Sequence, residues 1–115
     1  MTRSLTKYET QLLTRALIEA DNRLNPTTVL DLAKAEDIAA EDTDWHHIRL
    51  SYEAFPWKGA GYRIIADWSA PDLDGCIIEL LVLGDKDCRP YELEIRRPDL
   101  RPILHLPSVE AWTGS

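Results

Sequence analysis

The stretch that decides the fold is CIIELLVL, residues 76–83. Glu79 is the only residue in it that is not apolar, and such a run is typical of a central strand covered on both faces. Turn residues flank it, with Pro71-Asp72-Leu73-Asp74-Gly75 before it and Gly84-Asp85-Lys86-Asp87 after it. We therefore predict a central strand, joined to its neighbours in the chain by short turns.

Further strands are predicted on both sides of this run by alternation of apolar and polar residues. The pattern occurs over residues 47–52, 62–68 and 91–96. The turns between these runs are too short for the helical crossovers that parallel strands need. We therefore predict an antiparallel meander sheet of about four to five strands.

The N-terminal residues predict an amphipathic helix. Thr6-Lys7-Tyr8-Glu9 has the form of a capping box, and apolar residues then recur at helical spacing from Tyr8 to Leu24. Asn25-Pro26 ends the pattern, because the residue before proline disfavours the helical region. The apolar stripe must be buried, and the sheet offers the surface for it. The predicted fold class is α+β, an N-terminal helix packed on the antiparallel sheet.

Two segments are less regular in sequence. Pro26 and the residues 33–36 favour a second helix, whereas 27–30 favour a strand. We favour a strand over 28–34, followed by an acidic, irregular stretch. Three prolines after residue 97 predict an irregular C-terminal tail, and the whole chain of 115 residues is expected to form a single domain.

Charge and composition restrict the partners and the compartment. The chain has 20 acidic against 13 basic residues, a net charge of −7. Such a field repels nucleic acid and attracts a basic partner. No apolar stretch approaches the roughly 20 residues that span a bilayer, and the N-terminus lacks a signal-peptide pattern. We therefore expect a cytoplasmic protein with no nucleic-acid or membrane partner, in which Cys76 and Cys88 stay reduced.

The histidines raise the question of a metal site. His46 and His47, with Asp42, Asp44 and His105, could form a ligand set. Adjacent residues of a strand point to opposite faces, however, so the two neighbouring imidazoles should not reach the same ion. Their spacing also matches no known metal-binding motif. We predict no metal site and no cofactor.

The sequence Asp72-Leu73-Asp74-Gly75 resembles the start of a calcium-binding loop. The complete loop needs an oxygen ligand at its fifth position and a glutamate at its twelfth. These positions hold Cys76 and Leu83, so we interpret the segment as a tight turn.

Glu79 is the most plausible catalytic group, because it lies inside an apolar strand. Glu92 or Glu94 could stand across from it as the second acid that acid–base catalysis requires. They could equally form a row of salt bridges with Arg96 and Arg63, which is an ordinary way to stabilise a sheet. We favour the salt bridges and predict that the protein is not an enzyme.

One resemblance goes beyond these local patterns. The chain resembles a small bacterial domain family of uncharacterised function. The resemblance lies in the segments 5–9, 72–75, 85–87 and 91–95, in Asp99 and in the pairs at 102–103 and 106–107. Its form is similar to that of immunity proteins in polymorphic and contact-dependent toxin systems. The segment 35–60 departs from it, since an acidic stretch without glycine replaces the glycine-rich turn typical of the family.

The resemblance implies an immunity-like protein that binds and neutralises a cognate toxin domain, a basic one of the nuclease type. Candidate partner-binding residues are acids that could meet the toxin's lysines and arginines, with one tryptophan as an anchor. They are Asp37, Glu41, Asp42, Asp44 and Trp57. The alternative is a structural or regulatory interaction module without catalytic activity, for instance a homodimer joined through an edge strand.

Overall fold

A computed structural model describes residues 2–20, 26–38, 46–52, 63–85 and 89–114, with only the backbone at 26–28. Two α-helices, a short 3-10 helix and seven strands make up this part of the chain. Their bounds are β1 (Thr2–Arg3), α1 (Lys7–Glu19), α2 (Pro26–Asp31), β2 (Ala33–Asp37), β3 (His46–Tyr52), β4 (Arg63–Pro71), β5 (Ile77–Gly84), β6 (Pro90–Arg96), the 3-10 helix Val109–Ala111, and β7 (Thr113–Gly114). The prediction of an antiparallel sheet with an N-terminal helix is confirmed.

The sheet has more strands than predicted, and a different order. All seven are antiparallel and lie in the order β1-β2-β3-β6-β5-β4-β7. The single predicted meander is therefore wrong, because two meanders meet where β3 pairs with β6. That pairing sets Ile48 opposite Leu93 and His46 opposite Ile95. Since Ile48, Leu93 and Ile95 are all buried, the register joins two apolar faces.

Helix α1 forms as its capping box predicts. The Thr6 hydroxyl accepts a hydrogen bond from the Glu9 backbone N–H, and the Glu9 carboxylate accepts one from the Thr6 N–H. Leu12, Leu13 and Leu17 lie on its buried face. The helix ends at Glu19, earlier than the predicted end at Leu24. Neither α-helix in the described ranges is long and apolar enough to cross a membrane.

The strand predicted over 28–34 is wrong. Residues 28–31 belong to α2, and the strand β2 begins only at Ala33. Pro26 is the first residue of α2, where its fixed φ favours helix, so the helical alternative describes this segment better. The stretch expected to be irregular after residue 34 instead continues β2 to Asp37. Ala33 and Ala35 are buried there and Lys34 is exposed, which is the alternation of a strand with one covered face.

The core lies on one face of the sheet, which we call the inner face. It is formed by buried residues from α1, from alternate positions of β2 to β6 and from the C-terminal tail. In β5, Ile78, Leu80 and Val82 are buried, whereas Ile77 is exposed and Leu81 is half-buried. Within the described residues, the prediction that this strand is covered on both faces is therefore wrong.

The C-terminal tail is held against helix α1. After an irregular stretch it forms the 3-10 helix, and β7 then pairs with β4. Trp112 is 0% exposed, and its Nε1 donates a hydrogen bond to the Tyr8 hydroxyl at 3.1 Å. That hydroxyl donates in turn to the carbonyl of Pro107. Arg15 donates to the carbonyl of Val109 at 2.6 Å. The tail thus completes the core.

Candidate functional site

The opposite side of the sheet, which we call the outer face, consists of residues that alternate with buried ones along four neighbouring strands. All of these residues are half-buried or exposed. They are His47 and Arg49 of β3, Glu92, Glu94 and Arg96 of β6, Ile77, Glu79, Leu81 and Leu83 of β5, and Ile64, Asp67 and Ser69 of β4.

One part of the outer face combines apolar side chains with carboxylates. Ile64 is 61% exposed and Ile77 is 51% exposed, and Leu81 lies half-buried between their positions on the sheet. A cleft of about 520 Å³ opens beside Ile77 and Leu81 but does not include Ile64, and its lining carries Asp67, Glu79, Glu94 and Arg96. Exposed apolar area surrounded by charged groups is typical of a surface that binds another molecule.

Glu79 forms an ion pair across this part of the sheet. It lies opposite Arg96, whose Nη2 is 3.1 Å from Glu79 Oε2. The sequence patterns placed Arg96 in a row with Glu92 or Glu94, whereas in the structure Arg96 pairs with Glu79. Arg63 does not take part in this pair, because it lies opposite Gly84 at the far end of β4. Both partners of the Glu79 ion pair are substantially exposed, so it contributes little to stability.

A second cluster on the outer face brings together His47, Glu92 and Glu94. His47 lies directly opposite Glu94 in the β3–β6 pair, and Glu92 is the neighbouring residue on the same face of β6. His47 Nε2 is 2.5 Å from Glu92 Oε1. One ligand atom from each of the three residues lies within 4.8 Å of the others. The sequence patterns placed Glu92 and Glu94 beside Glu79 or in a row with Arg96 and Arg63, and not beside His47, because they do not show that β3 pairs with β6.

His46 points to the other side of the sheet, as the strand geometry predicted. Its Nε2 lies 2.8 Å from Oε2 of Glu9, which is 0% exposed. Arg3 also donates two hydrogen bonds of 2.8 Å to this carboxylate. Burial alone would raise the pKa of Glu9, but the hydrogen bonds from Arg3, His46 and the Thr6 N–H outweigh it and hold the pKa well below its ordinary value. Glu9 therefore stays ionised and joins β1, α1 and β3.

The Asp72-Leu73-Asp74-Gly75 turn holds the C-terminal tail. The Asp72 carboxylate accepts hydrogen bonds from the N–H groups of Leu73, Leu104 and His105, and from Arg97 Nη1 at 2.9 Å. Burial would raise the pKa of Asp72, but these donors lower it below the ordinary value. All of its acceptor positions are used within the chain, so this carboxylate has a structural role.

Arg97 is the centre of that cluster. It is almost fully buried and also contacts Asp74 at 3.0 Å and Asp99 at 2.6 Å. Cys76 is a free thiol whose Sγ lies 3.4 Å from Asp99 Oδ2. Cys88 lies outside the described residues.

Of the predicted partner-binding residues, only Asp37 is described. It lies at the end of β2 opposite Ile48, and its side chain, 64% exposed, forms a 2.8 Å ion pair with Arg3. The hydrogen bonds from Arg3 lower the pKa of Asp37. Asp37 therefore belongs to the Glu9 network and not to the outer face. The other four, Glu41, Asp42, Asp44 and Trp57, lie outside the described residues.

Fold and surface define an α+β protein with a helix on one face of an antiparallel sheet and a mixed apolar and acidic surface on the other. Searches against protein-family models, curated proteins and solved structures find no match for this chain.

Proposed function

We propose that this chain is an immunity-like inhibitor that binds a basic, nuclease-type toxin domain through the outer face of its sheet. The supporting observation is the composition of that face, where exposed Ile77 lines a cleft together with the carboxylates of Asp67, Glu79 and Glu94. Interfaces commonly have an apolar centre with a polar rim, and a cleft that combines exposed apolar side chains with carboxylates has a similar composition. We expect the protein to act in the cytoplasm and without catalysis.

The charge of the chain supports a basic partner. The net charge is −7, and three of the carboxylates on the outer face are Asp67, Glu92 and Glu94. A nuclease domain holds nucleic acid with lysines and arginines, which an acidic surface can attract and cover. The attraction would also speed association, and it would weaken as salt concentration rises.

The size of the face indicates how much of the interface it could supply. Four strands at a spacing of about 4.8 Å, each about 24 Å long, give roughly 450 Å². A stable interface takes about 800 Å² from each partner. Adjoining segments would have to supply the rest. Glu41, Asp42 and Asp44 lie between β2 and β3 in the sequence, and we propose that the segment that carries them supplies part of the rest. Trp57 is the predicted anchor.

The alternative of a homodimer joined through an edge strand has less support. In the described part of the chain the sheet ends in β1 and β7, which have two residues each and cover only part of β2 and β4. Such short edge strands are a common device against edge-to-edge pairing. The face of the sheet is therefore the better candidate for binding.

The first step of the experiment is to look beside this gene for a large secreted protein with a variable C-terminal domain, and that domain is then used in a protection and binding assay. Coexpression of this chain should restore growth, and the purified proteins should form a complex. The double variant Asp67→Lys with Glu79→Lys should lose protection and bind at least about tenfold more weakly, since like charges at an interface repel. The matched control, Glu19→Lys with Glu110→Lys, changes the net charge equally, but on α1 and the 3-10 helix.

Circular dichroism and thermal unfolding would verify that both variants are folded. Equal loss of binding in both would mean that only total charge matters, which contradicts binding through the outer face. Absence of both protection and complex formation with wild-type protein would refute the inhibitor proposal.

A further inference from the structure

The cluster of His47, Glu92 and Glu94 has the composition and geometry of a metal site. One imidazole nitrogen and two carboxylate oxygens lie within 4.8 Å of one another. Ligand atoms bound to one Zn²⁺ ion at about 2.0–2.2 Å can be at most roughly 4.4 Å apart, and about 3.4 Å apart in a tetrahedral site. His47 Nε2 and Glu92 Oε1 are 2.5 Å apart, and all three ligand atoms lie within 4.8 Å of one another. Side-chain rotations that move these atoms by about an ångström would give the distances of a zinc site.

The backbone that carries these ligands is fixed. His47 and Glu94 face each other across the β3–β6 pair, and Glu92 lies two residues before Glu94 on the same face. β6 is the central strand of the seven, with β3 and β5 paired to its two sides. Ligands on paired strands are held more precisely than ligands on loops, so the site does not need to be assembled by a chain movement.

The charges of the cluster favour a cation. Glu94 is half-buried, and its carboxylate has no hydrogen bond or ion pair with any described residue. Glu92 places a second carboxylate beside it and has His47 as its contact. Arg49 lies opposite Glu92 in the register but forms no ion pair with any described residue. Two neighbouring carboxylates with a single imidazole therefore leave negative charge that a divalent ion would neutralise.

We propose that His47, Glu92 and Glu94 bind a first-row divalent transition ion such as Zn²⁺. An imidazole ligand favours zinc and its neighbours in the row over Mg²⁺ and Ca²⁺, which prefer oxygen ligands alone. His47 would bind through Nε2, the nitrogen that faces Glu92, with its hydrogen on Nδ1. Three protein ligands leave one coordination position open to water. Binding requires this chain alone and so does not depend on the toxin partner.

The test uses tag-free protein treated with chelator, because a histidine tag would bind the same ions. Calorimetric titration with ZnCl2 should show one site per chain, and MgCl2 or CaCl2 at the same concentration should show none. Glu94→Gln is the principal variant, since the loss of a carboxylate without a described partner should leave the fold intact. It should weaken zinc binding at least tenfold, and His47→Gln should weaken it by about 100-fold or more.

Two matched controls separate this site from general attraction to an acidic protein. Glu79→Gln removes the same charge from the same face but outside the cluster, and His105→Gln removes an exposed imidazole elsewhere. Both should bind zinc as wild-type protein does. In proton NMR, zinc should shift the one histidine ring resonance that disappears in His47→Gln. Absence of zinc binding by wild-type protein, or equal loss in Glu79→Gln and Glu94→Gln, would overturn the proposal.

Discussion

The buried Glu9 carboxylate lends itself to a quantitative prediction about what holds the N-terminal part together. Oε1 accepts hydrogen bonds from Arg3 Nη1 and the Thr6 N–H, and Oε2 from Arg3 Nη2 and His46 Nε2, all at 2.8 Å. In Glu9→Gln the volume is kept, but an amide N–H₂ replaces one oxygen. If it replaces Oε2, the new N–H₂ group faces two donors.

The loss of stability in Glu9→Gln depends on how many of these donors can find a new acceptor. His46 can change tautomer and accept from the new amide, so that contact can be kept. Arg3 Nη2 cannot accept, although it keeps its bond to Asp37. A buried donor that loses its acceptor costs about 1–3 kcal/mol, and removal of one partner of a buried ion pair costs about 3–5 kcal/mol. Because Arg3 is partly exposed and keeps one carboxylate, we expect Glu9→Gln to destabilise the fold by about 2–3 kcal/mol.

The assay is urea unfolding at neutral pH, followed by tryptophan fluorescence. The matched control is Asp37→Asn, which removes a carboxylate that bonds to the same Arg3 at the same distance but is largely exposed. It should cost less than about 1 kcal/mol. If Glu9→Gln and Asp37→Asn lower the unfolding free energy equally, with equal dependence on urea, burial of Glu9 does not strengthen the contribution of its contacts, and the argument is refuted.

The same carboxylate should make stability depend on acid. The folded state lowers the pKa of Glu9 from its ordinary value of 4.5, so the folded state binds this proton less readily than the unfolded chain does. Its stabilising contribution is therefore fully present above about pH 4.5 and is lost as the pH falls through the lower folded-state pKa. The difference in unfolding free energy between wild-type protein and Glu9→Gln should shrink over that range. A difference that is constant with pH would contradict this.

Two further variants, each with a matched control, test the turn before β5. Asp72→Asn should destabilise the fold by about 2–4 kcal/mol, because its amide would face buried donors of Arg97 and the tail. The control Asp74→Asn removes an exposed carboxylate from the same Arg97 and should cost less than about 1 kcal/mol. Equal losses of unfolding free energy in urea would contradict the structural role of Asp72. Gly75→Ala should cost about 1 kcal/mol in thermal unfolding, because Gly75 has φ +83 and open space around a new Cβ, so only backbone strain is introduced. Gly114→Ala, with equal space and no positive φ, should be nearly neutral, and a loss there as large as at Gly75 would refute the strain argument.

Local patterns predicted individual elements better than their partners. The capping box at Thr6 and the alternation in β3, β4 and β6 depend on residues close in sequence, and these elements are present. The pairing of β3 with β6 depends on matching buried residues such as Ile48 and Leu93, which lie far apart in sequence. Alternation identifies the buried face of a strand but not the strand beside it, so the single meander was the wrong choice.

Strand β2 shows where tertiary structure overrides propensity. Ala33-Lys34-Ala35-Glu36 favours helix in isolation, yet it pairs with β3 over its whole length. The buried alanines belong to the core cluster, and pairing with β3 satisfies the backbone there. The cluster of His47, Glu92 and Glu94 could not be predicted for the same reason, since His47 and Glu92 are separated by 45 positions and no short motif connects them.

The two faces of the sheet differ in a way that folding alone does not require. On the inner side and its rim, the ionised groups Glu9, Asp72 and Arg97 are buried, and each has several partners within the chain. The inner face already buries the helix stripe, so the exposed apolar residues on the outer face add nothing to that core. Exposure of Ile64 and Ile77 to water is unfavourable and offers the isolated fold no compensating gain.

The proposed binding partner would supply that compensation, and the two proposals for the outer face can be tested with different variants. Asp67 and Glu79 lie with the exposed isoleucines on β4 and β5, whereas His47, Glu92 and Glu94 lie on β3 and β6. Charge reversal at Asp67 and Glu79 leaves all three proposed metal ligands in place, whereas Glu94→Gln keeps every apolar side chain but removes one carboxylate from the cleft. Failure of either proposal would therefore not remove the support for the other.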